Sequence, residues 1–404
     1  VACGDPVTAP TREITLDFCG TWAAYQNDGG SWTSLPSAQG QVTFAATDRL
    51  AIATVSRVGP SLNPLLEVHY LTAEQAEATF TCGAATSEPA STKQLRGSVA
   101  GLSTGATAAI SMGRGVTSAN ASFPTFQVRA PRDGPADLIA THRPPFEPTP
   151  PSGRADKVIV RRGEDHADGA TMPVLDFASS AGFAPQPNTL TIGGVPAGTT
   201  VSVQTQVTTA RGATAFLKYE FDQSTSVVTT HSLPATNVAE GDLHQTSVDT
   251  RDRSVLFFYR DPADRTVALG PVASTPVFTT PVGSSGQALR VDVTAQSVYG
   301  SQVSVVLTPP QPSTSGNMVV IRATKEYFGG TPAIWSLTLP DFTGVPGFSP
   351  LWGLAPGPNA WTLTVTGLPY RFSSESARDG EVYRSATAFG IIINESGDVV
   401  ALRR

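Results

Sequence analysis

The sequence predicts an all-β chain made of several tandem β-sandwich modules, with almost no helix. Three observations predict it. Short runs rich in Val, Thr, Ile, Phe and Ala recur along the chain, each bounded by Gly, Pro, Asn or Asp. The 404 residues include 37 glycines and 33 prolines, a density that punctuates any long helix. Hydrophobic residues reach 40% while charged residues are only 15%, against roughly 25% charged in an average soluble domain. There is apolar material for several cores. The same figures exclude some function classes. A net charge of −6 leaves no electrostatic footprint for a nucleic-acid partner, and no apolar run approaches the ~18–20 residues that a membrane-crossing helix needs.

Residues 1–11 form a leader, Val1-Ala2-Cys3-Gly4-Asp5-Pro6 and then Thr, Ala and Pro, before the first strand-like run. Residues 12–92 read as an N-terminal β domain. Its Gln41–Phe44 and Leu50–Val55 are strands on either side of a turn at Thr47–Arg49. Asn27, Asp28, Gly29 and Gly30 form a hairpin turn, because these residue types tolerate positive φ. The one helix predicted is Ala73–Ala78, with Thr72 as cap and Gln75 completing a capping box. Cys19 and Cys82 each sit in a strand-like run and are candidates for a disulfide, which a loop of this length makes worth roughly 3–4 kcal/mol in the chain-entropy model. Cys3 is then the odd thiol of three; the alternatives are a free thiol, or competition with one of the other two for its partner.

Residues 93–182 open with a strand, a glycine-centred turn and a returning strand, marked by Leu95, Gly97, Val99, Gly101, Leu102 and Gly105. Ala136–Ala140 and Asp156–Gly163 are its closing strands, and the proline-dense stretch Arg143–Ser152 between them favours an extended polyproline II loop. The opening recurs in 183–282, a third module: Gly194 and Gly198 repeat the spacing of Gly101 and Gly105, with Val195 in the place of Leu102. Val255–Tyr259 is a further strand there. From 283 the pattern restarts at Leu289–Val293 and closes with the hairpin Ile391–Leu402. We read 283–404 as a C-terminal sandwich, with a single larger unit over 183–404 as the alternative.

These residues carry three resemblances. Val1-Ala2-Cys3-Gly4 resembles the end of a bacterial lipobox, where cleavage precedes a cysteine that carries lipid; the resemblance implies lipid attachment at Cys3. The opening and closing strands of 93–182 resemble a transthyretin-like, carboxypeptidase-regulatory-type sandwich, which places them with Ig-like/transthyretin-like modules that are usually non-catalytic. The run Asp17-Phe18-Cys19-Gly20-Thr21-Trp22, with Tyr25 and Trp32, and the Asp176-Phe177 end of the second module resemble a loose group of secreted bacterial lipoproteins of unassigned function. That group brings no catalytic residues with it.

A search for chemistry in the sequence finds no constellation. His69, His142, His166, His231 and His244 include no pair at i, i+4 with an intervening Glu. There is no Gly-x-Ser-x-Gly elbow, no metal-knuckle cysteine pair and no glycine-rich strand-to-helix loop for phosphate. Glu164, Asp165, His166 and Asp168 are the best metal stretch, but they lack the alternate-residue pattern of a calcium loop and read better as a solvated turn. No catalytic residue, metal or cofactor is therefore assigned.

The segment 338–361 stands out. Its prolines and glycines disfavour regular structure, yet Phe342, Phe348, Leu351, Trp352 and Leu354 carry much apolar area. Aromatics in a rigid frame are what interfaces use as anchors, so these five are the candidate contacts with a protein or membrane surface; the alternative is that they fold back over their own sandwich. Trp22 with Trp32, and Trp352 with Trp361, are candidate stacking platforms for carbohydrate.

The expectation is a non-enzymatic, exported protein, periplasmic or at the cell surface. It would be anchored to a membrane by lipid at its N-terminus and act as a structural or interaction subunit. An extrinsic subunit of a photosynthetic or respiratory membrane complex is one instance. A polysaccharide-binding surface protein, and a hydrolase whose site is assembled from distant loops, are the rival readings.

Overall fold

The computed structural model describes residues 10–58, 63–81, 92–145, 147–148, 151–281, 288–309, 317–370, 372, 376–395 and 398–403. The chain is all-β, 56% strand and 6% helix. It divides into two compact units, one made of Val1–Thr86, Val272–Arg371 and Ser385–Arg404, the other of Ser87–Pro271 and Phe372–Arg384.

In the first unit, the strands Gly357–Thr366, Gln302–Thr308, Met318–Thr324, Asn63–Leu71, Leu50–Val58 and Trp22–Asn27 lie side by side in that order. The nearly unbroken apolar run that opens Leu50–Val58 explains its central place, since a strand buried on both faces has no polar side to offer. Ala51, Ala53 and Val55 point into one core with Leu66, Val68, Val305, Ile321, Trp335 and Leu363. Leu50 and Ile52 point into another with Ile14, Leu16 and Phe18 of strand Arg12–Cys19 and with Ala73 and Ala76 of the helix.

The turn at Thr47–Arg49 therefore does not close a hairpin. Gln39–Ala46 pairs with Arg12–Cys19, while Leu50–Val58 pairs with Trp22–Asn27 and Asn63–Leu71. The helix Ala73–Thr79 carries the expected capping box: Thr72 Oγ1 accepts the Gln75 N–H at 3.2 Å and Gln75 Oε1 accepts the Thr72 N–H at 3.1 Å. Asp28 and Gly29 take positive φ, 47° and 74°, at the expected hairpin turn.

Leu65–Tyr70 pairs in parallel with Met318–Ala323. Strands Asn63–Leu71 and Met318–Thr324 thus share one sheet and one core, which corrects the reading of 12–92 and 283–404 as separate modules. A parallel pairing across some 250 residues leaves no local turn signal to reveal it.

The second unit holds the two middle modules, each with its own core. In the first, the sheet of Thr125–Pro131, Thr92–Ala100 and Leu175–Asp176 and the sheet of Lys157–Glu164, Ala136–Arg143, Thr107–Met112 and Gly115–Asn120 enclose Leu95, Ile110, Phe126, Leu138 and Phe177. In the second, Val227–Ser232, Gln186–Gly193 and Arg265–Ala268 form one sheet, and Pro151–Arg154, Thr214–Gln223, Val201–Thr208, Leu243–Asp249 and Arg253–Tyr259 lie in the other. Leu190, Val203, Val255 and Phe257 are buried between them.

A third core of Ile139, Val158, Val207, Leu217 and Leu233 joins the two modules. The proline-dense stretch is not only loop: Glu147–Pro148 pairs with Pro151–Arg154, which adds to Thr214–Gln223. Proline is tolerated there because the sheet ends at Glu147–Pro148 and asks for fewer N–H donors. The glycine repeat is a backbone repeat, with φ of 73° and 78° at Gly101 and Gly105 and 77° at both Gly194 and Gly198.

Candidate functional site

Of the predicted contact residues, the structure leaves one in the open. Phe342 is 1% exposed and Leu354 4%, both inside the core of the first unit. The Trp22 ring meets Phe342 and Phe348 edge-on at 5.3 and 5.0 Å, and its Nε1–H donates to the Pro346 carbonyl at 3.1 Å. Trp32 meets Phe342 at 4.9 Å, and Trp352 meets Phe348 at 5.7 Å. The segment folds back over its own sandwich because its aromatics satisfy one another there. Phe342 and Leu354 are thereby removed as surface anchors, and Phe348 and Trp352 are half-buried against the core. Leu351, 81% exposed, is the residue presented outward. Trp22 and Trp361 are buried too, so neither tryptophan pair forms a sugar platform. Cys19 is disulfide-bonded; Cys3 and Cys82 lie outside the described residues.

The acidic stretch after Arg161–Arg162 is tied into its module. Glu164 meets His166 Nε2 at 2.6 Å, Asp165 pairs with Lys93 at 2.9 Å and Asp168 accepts the Gln94 N–H at 2.7 Å.

The strongest cluster of ionisable groups was not foreseen. In the second unit Arg162 donates to Asp242 at 2.8 Å and to Asp137 at 3.2 Å, and Arg211 donates to Asp137 at 3.2 Å. Both carboxylates are buried, and backbone N–H groups of Gly163, Ala210 and Ala239 complete their shells. Burial pushes the Asp137 carboxyl up, but the Gly163 N–H, Arg162 and Arg211 outweigh it and hold it below the usual range. A buried charge so fully satisfied fixes orientation, and loss of Arg162, which serves both carboxylates, costs about 3–5 kcal/mol. A signal was present in the sequence: Asp137 interrupts an apolar strand, where a carboxylate demands a partner.

Among the described residues, histidines line a pocket in each unit. In the first unit, a cavity of about 290 Å³ is lined by Glu67, His69, Thr54 and Arg322. Glu67 Oε1 lies 3.7 Å from His69 Nε2 and 3.5 Å from Arg322. Burial raises the Glu67 carboxyl, yet His69 and Arg322 prevail and keep it ionised. The Phe80 ring lies edge-on to His69.

In the second unit, a cavity of about 440 Å³ is lined by Arg154, Lys218 and His231. Burial, then the charges of Lys218 and Arg154, push the His231 imidazole down to about 4.

No family model and no curated protein matches the chain. Among solved structures, the tetra-tandem repeat in the extending region of a large adhesion protein is similar over 95% of this chain and 97% of that one, at 15% identity and a TM-score of 0.14. The Bacillus anthracis TIE protein is similar over 95% of this chain and 66% of its own, at 9% identity and a TM-score of 0.17. Likenesses this low bear on neither activity nor partner.

Proposed function

We propose that this is a non-enzymatic, exported interaction protein, anchored at a membrane by lipid on Cys3, whose β modules present fixed surfaces to a protein partner. The observation that carries the reading is the use made of two buried carboxylates: Asp137 and Asp242, paired with the half-buried Arg162 and the exposed Arg211, hold strands of two modules in one orientation. The Cys19 disulfide supports export, because such bonds persist in oxidising compartments; Cys82 is its proposed partner. With that bond made, Cys3 is the thiol left for acylation. An extrinsic subunit of a membrane complex is the role that suits such a chain.

Detergent phase partition and mass spectrometry of the N-terminal peptide test the anchor. The expected result is an acyl mass on Cys3 and recovery in the detergent phase. An unmodified peptide and a wholly aqueous protein would overturn it. Mild extraction followed by size exclusion tests the partner, and a lone monomer would count against the subunit role.

A further inference from the structure

The pocket of about 440 Å³ in the second unit is lined from both sheets of the 186–268 sandwich. Arg154 and Lys218 are direct cross-strand partners, which places them on one face. Thr229 and His231 line it from the opposing strand Val227–Ser232, and Pro185 and Pro187 add an apolar wall.

Arg154 is exposed and enters no ion pair among the described residues. Lys218 Nζ lies 2.7 Å from Glu220, and Asp156, which also lines the pocket, is hydrogen-bonded to His142 Nδ1. His231 is only 8% exposed, and its Nδ1 is enclosed without a hydrogen-bond partner. An arginine without a counter-ion, beside a lysine and a nearly buried imidazole in one pocket, leaves room for an anion. The space also exceeds what a bare ion fills: a water claims about 30 Å³, whereas sites for small organic ligands run from about 300 Å³.

We propose that this pocket binds a sugar acid, its carboxylate held by Arg154 and Lys218, its ring against Pro185 and Pro187, and His231 hydrogen-bonding to it. The ligand's negative charge offsets the two cations, so His231 becomes easier to protonate when the site is filled. This goes beyond the anchored-subunit reading and does not depend on it.

Calorimetric titration of the full chain near pH 6 with glucuronate, glucose and sulfate in separate arms tests the proposal, alongside NMR titration of the His231 ring. Saturable glucuronate binding without glucose binding is expected. Arg154→Gln and Lys218→Met should each weaken it about tenfold, as loss of a charge-assisted bond does, while Arg132→Gln, at an exposed arginine outside the pocket, leaves it unchanged. The His231 pKa should rise from about 4 on saturation. Competition by sulfate supports recognition of the oxyanion. Glucose binding equal to glucuronate, an Arg132→Gln loss equal to that of Arg154→Gln, or sulfate binding without glucuronate (an adventitious ion only) would overturn the proposal, as would silence in every arm. Arg154 is exposed and unpaired, so its variant keeps the test decisive even where Lys218→Met unfolds. Failure here leaves the membrane anchor standing.

Discussion

At the scale of single residues, His244 sets a dependence on proton activity. Its Nε2 accepts the Leu233 N–H at 2.9 Å, so that nitrogen carries no proton, and its Nδ1–H donates to the Arg260 carbonyl at 3.2 Å. The ring is fully buried and stacks on Tyr259 at 5.2 Å. Burial pulls its pKa down to about 4, overcoming the opposing pull of its carbonyl partners and Asp242. The unfolded chain, with a histidine near 6.5, binds the proton first, so this contribution is complete above pH 6.5 and is lost as pH falls toward 4. It is on the order of 3 kcal/mol over that window. His231 shifts in the same direction. His244→Gln, which keeps an acceptor for Leu233, should flatten the fall in unfolding free energy, read from urea titrations between pH 7 and 4.5, by up to about one proton's worth, ~1.4 kcal/mol per pH unit. An unchanged slope would show that His244 is not the group responsible. None of this was legible in the sequence, where His244 is one histidine of five; its neutrality comes from burial, and from the Leu233 N–H that the fold aims at Nε2.

At the scale of elements, the sequence was most legible where the physics is local. Thr72 with Gln75, and Asp28 with Gly29, each depend on neighbours a few residues away. The glycine repeat is of this kind, yet its members are not equivalent. Gly101 and Gly198 both take φ between 73° and 77°, and a Cβ on Gly101 would come within 2.6 Å of the Ala178 backbone nitrogen, whereas one on Gly198 would meet nothing within 4 Å. Gly198→Ala should therefore cost only the left-handed conformation, about 1 kcal/mol. Gly101→Ala adds displacement of the turn after Asp176 and should cost about 2–4 kcal/mol. Thermal or urea unfolding of both variants measures the difference, and equal losses would mean that the turn gives way freely. What was not legible is which strand pairs with which. Gln39–Ala46 and Leu50–Val58 are adjacent in sequence but belong to different sheets, because each has an apolar face that a different partner covers.

At the scale of the molecule, the boundaries of the first unit escaped the sequence for a related reason. The run Leu50-Ala51-Ile52-Ala53 is apolar at every position, a pattern that implies cover on both faces but does not say from where. Part of the cover comes from residues 289–339, some 240 positions later: Leu289, Val291, Trp335 and Leu337 share a core with Ala51, Val55, Leu66 and Val68. Trp335 is 1% exposed and meets Phe328 edge-on at 5.6 Å. Trp335→Ala should cost about 3–5 kcal/mol, and its loss should spread through the shared sheet. Amide hydrogen exchange should accelerate in Asn63–Leu71 as well as in Met318–Thr324, since the two strands are hydrogen-bonded to each other and face the same core. Were 12–92 an independent module, a substitution at 335 would leave Asn63–Leu71 as protected as before. That outcome would dissolve the unit into separate domains, and with it the claim that Asn63–Leu71 and Met318–Thr324 belong to one folded body.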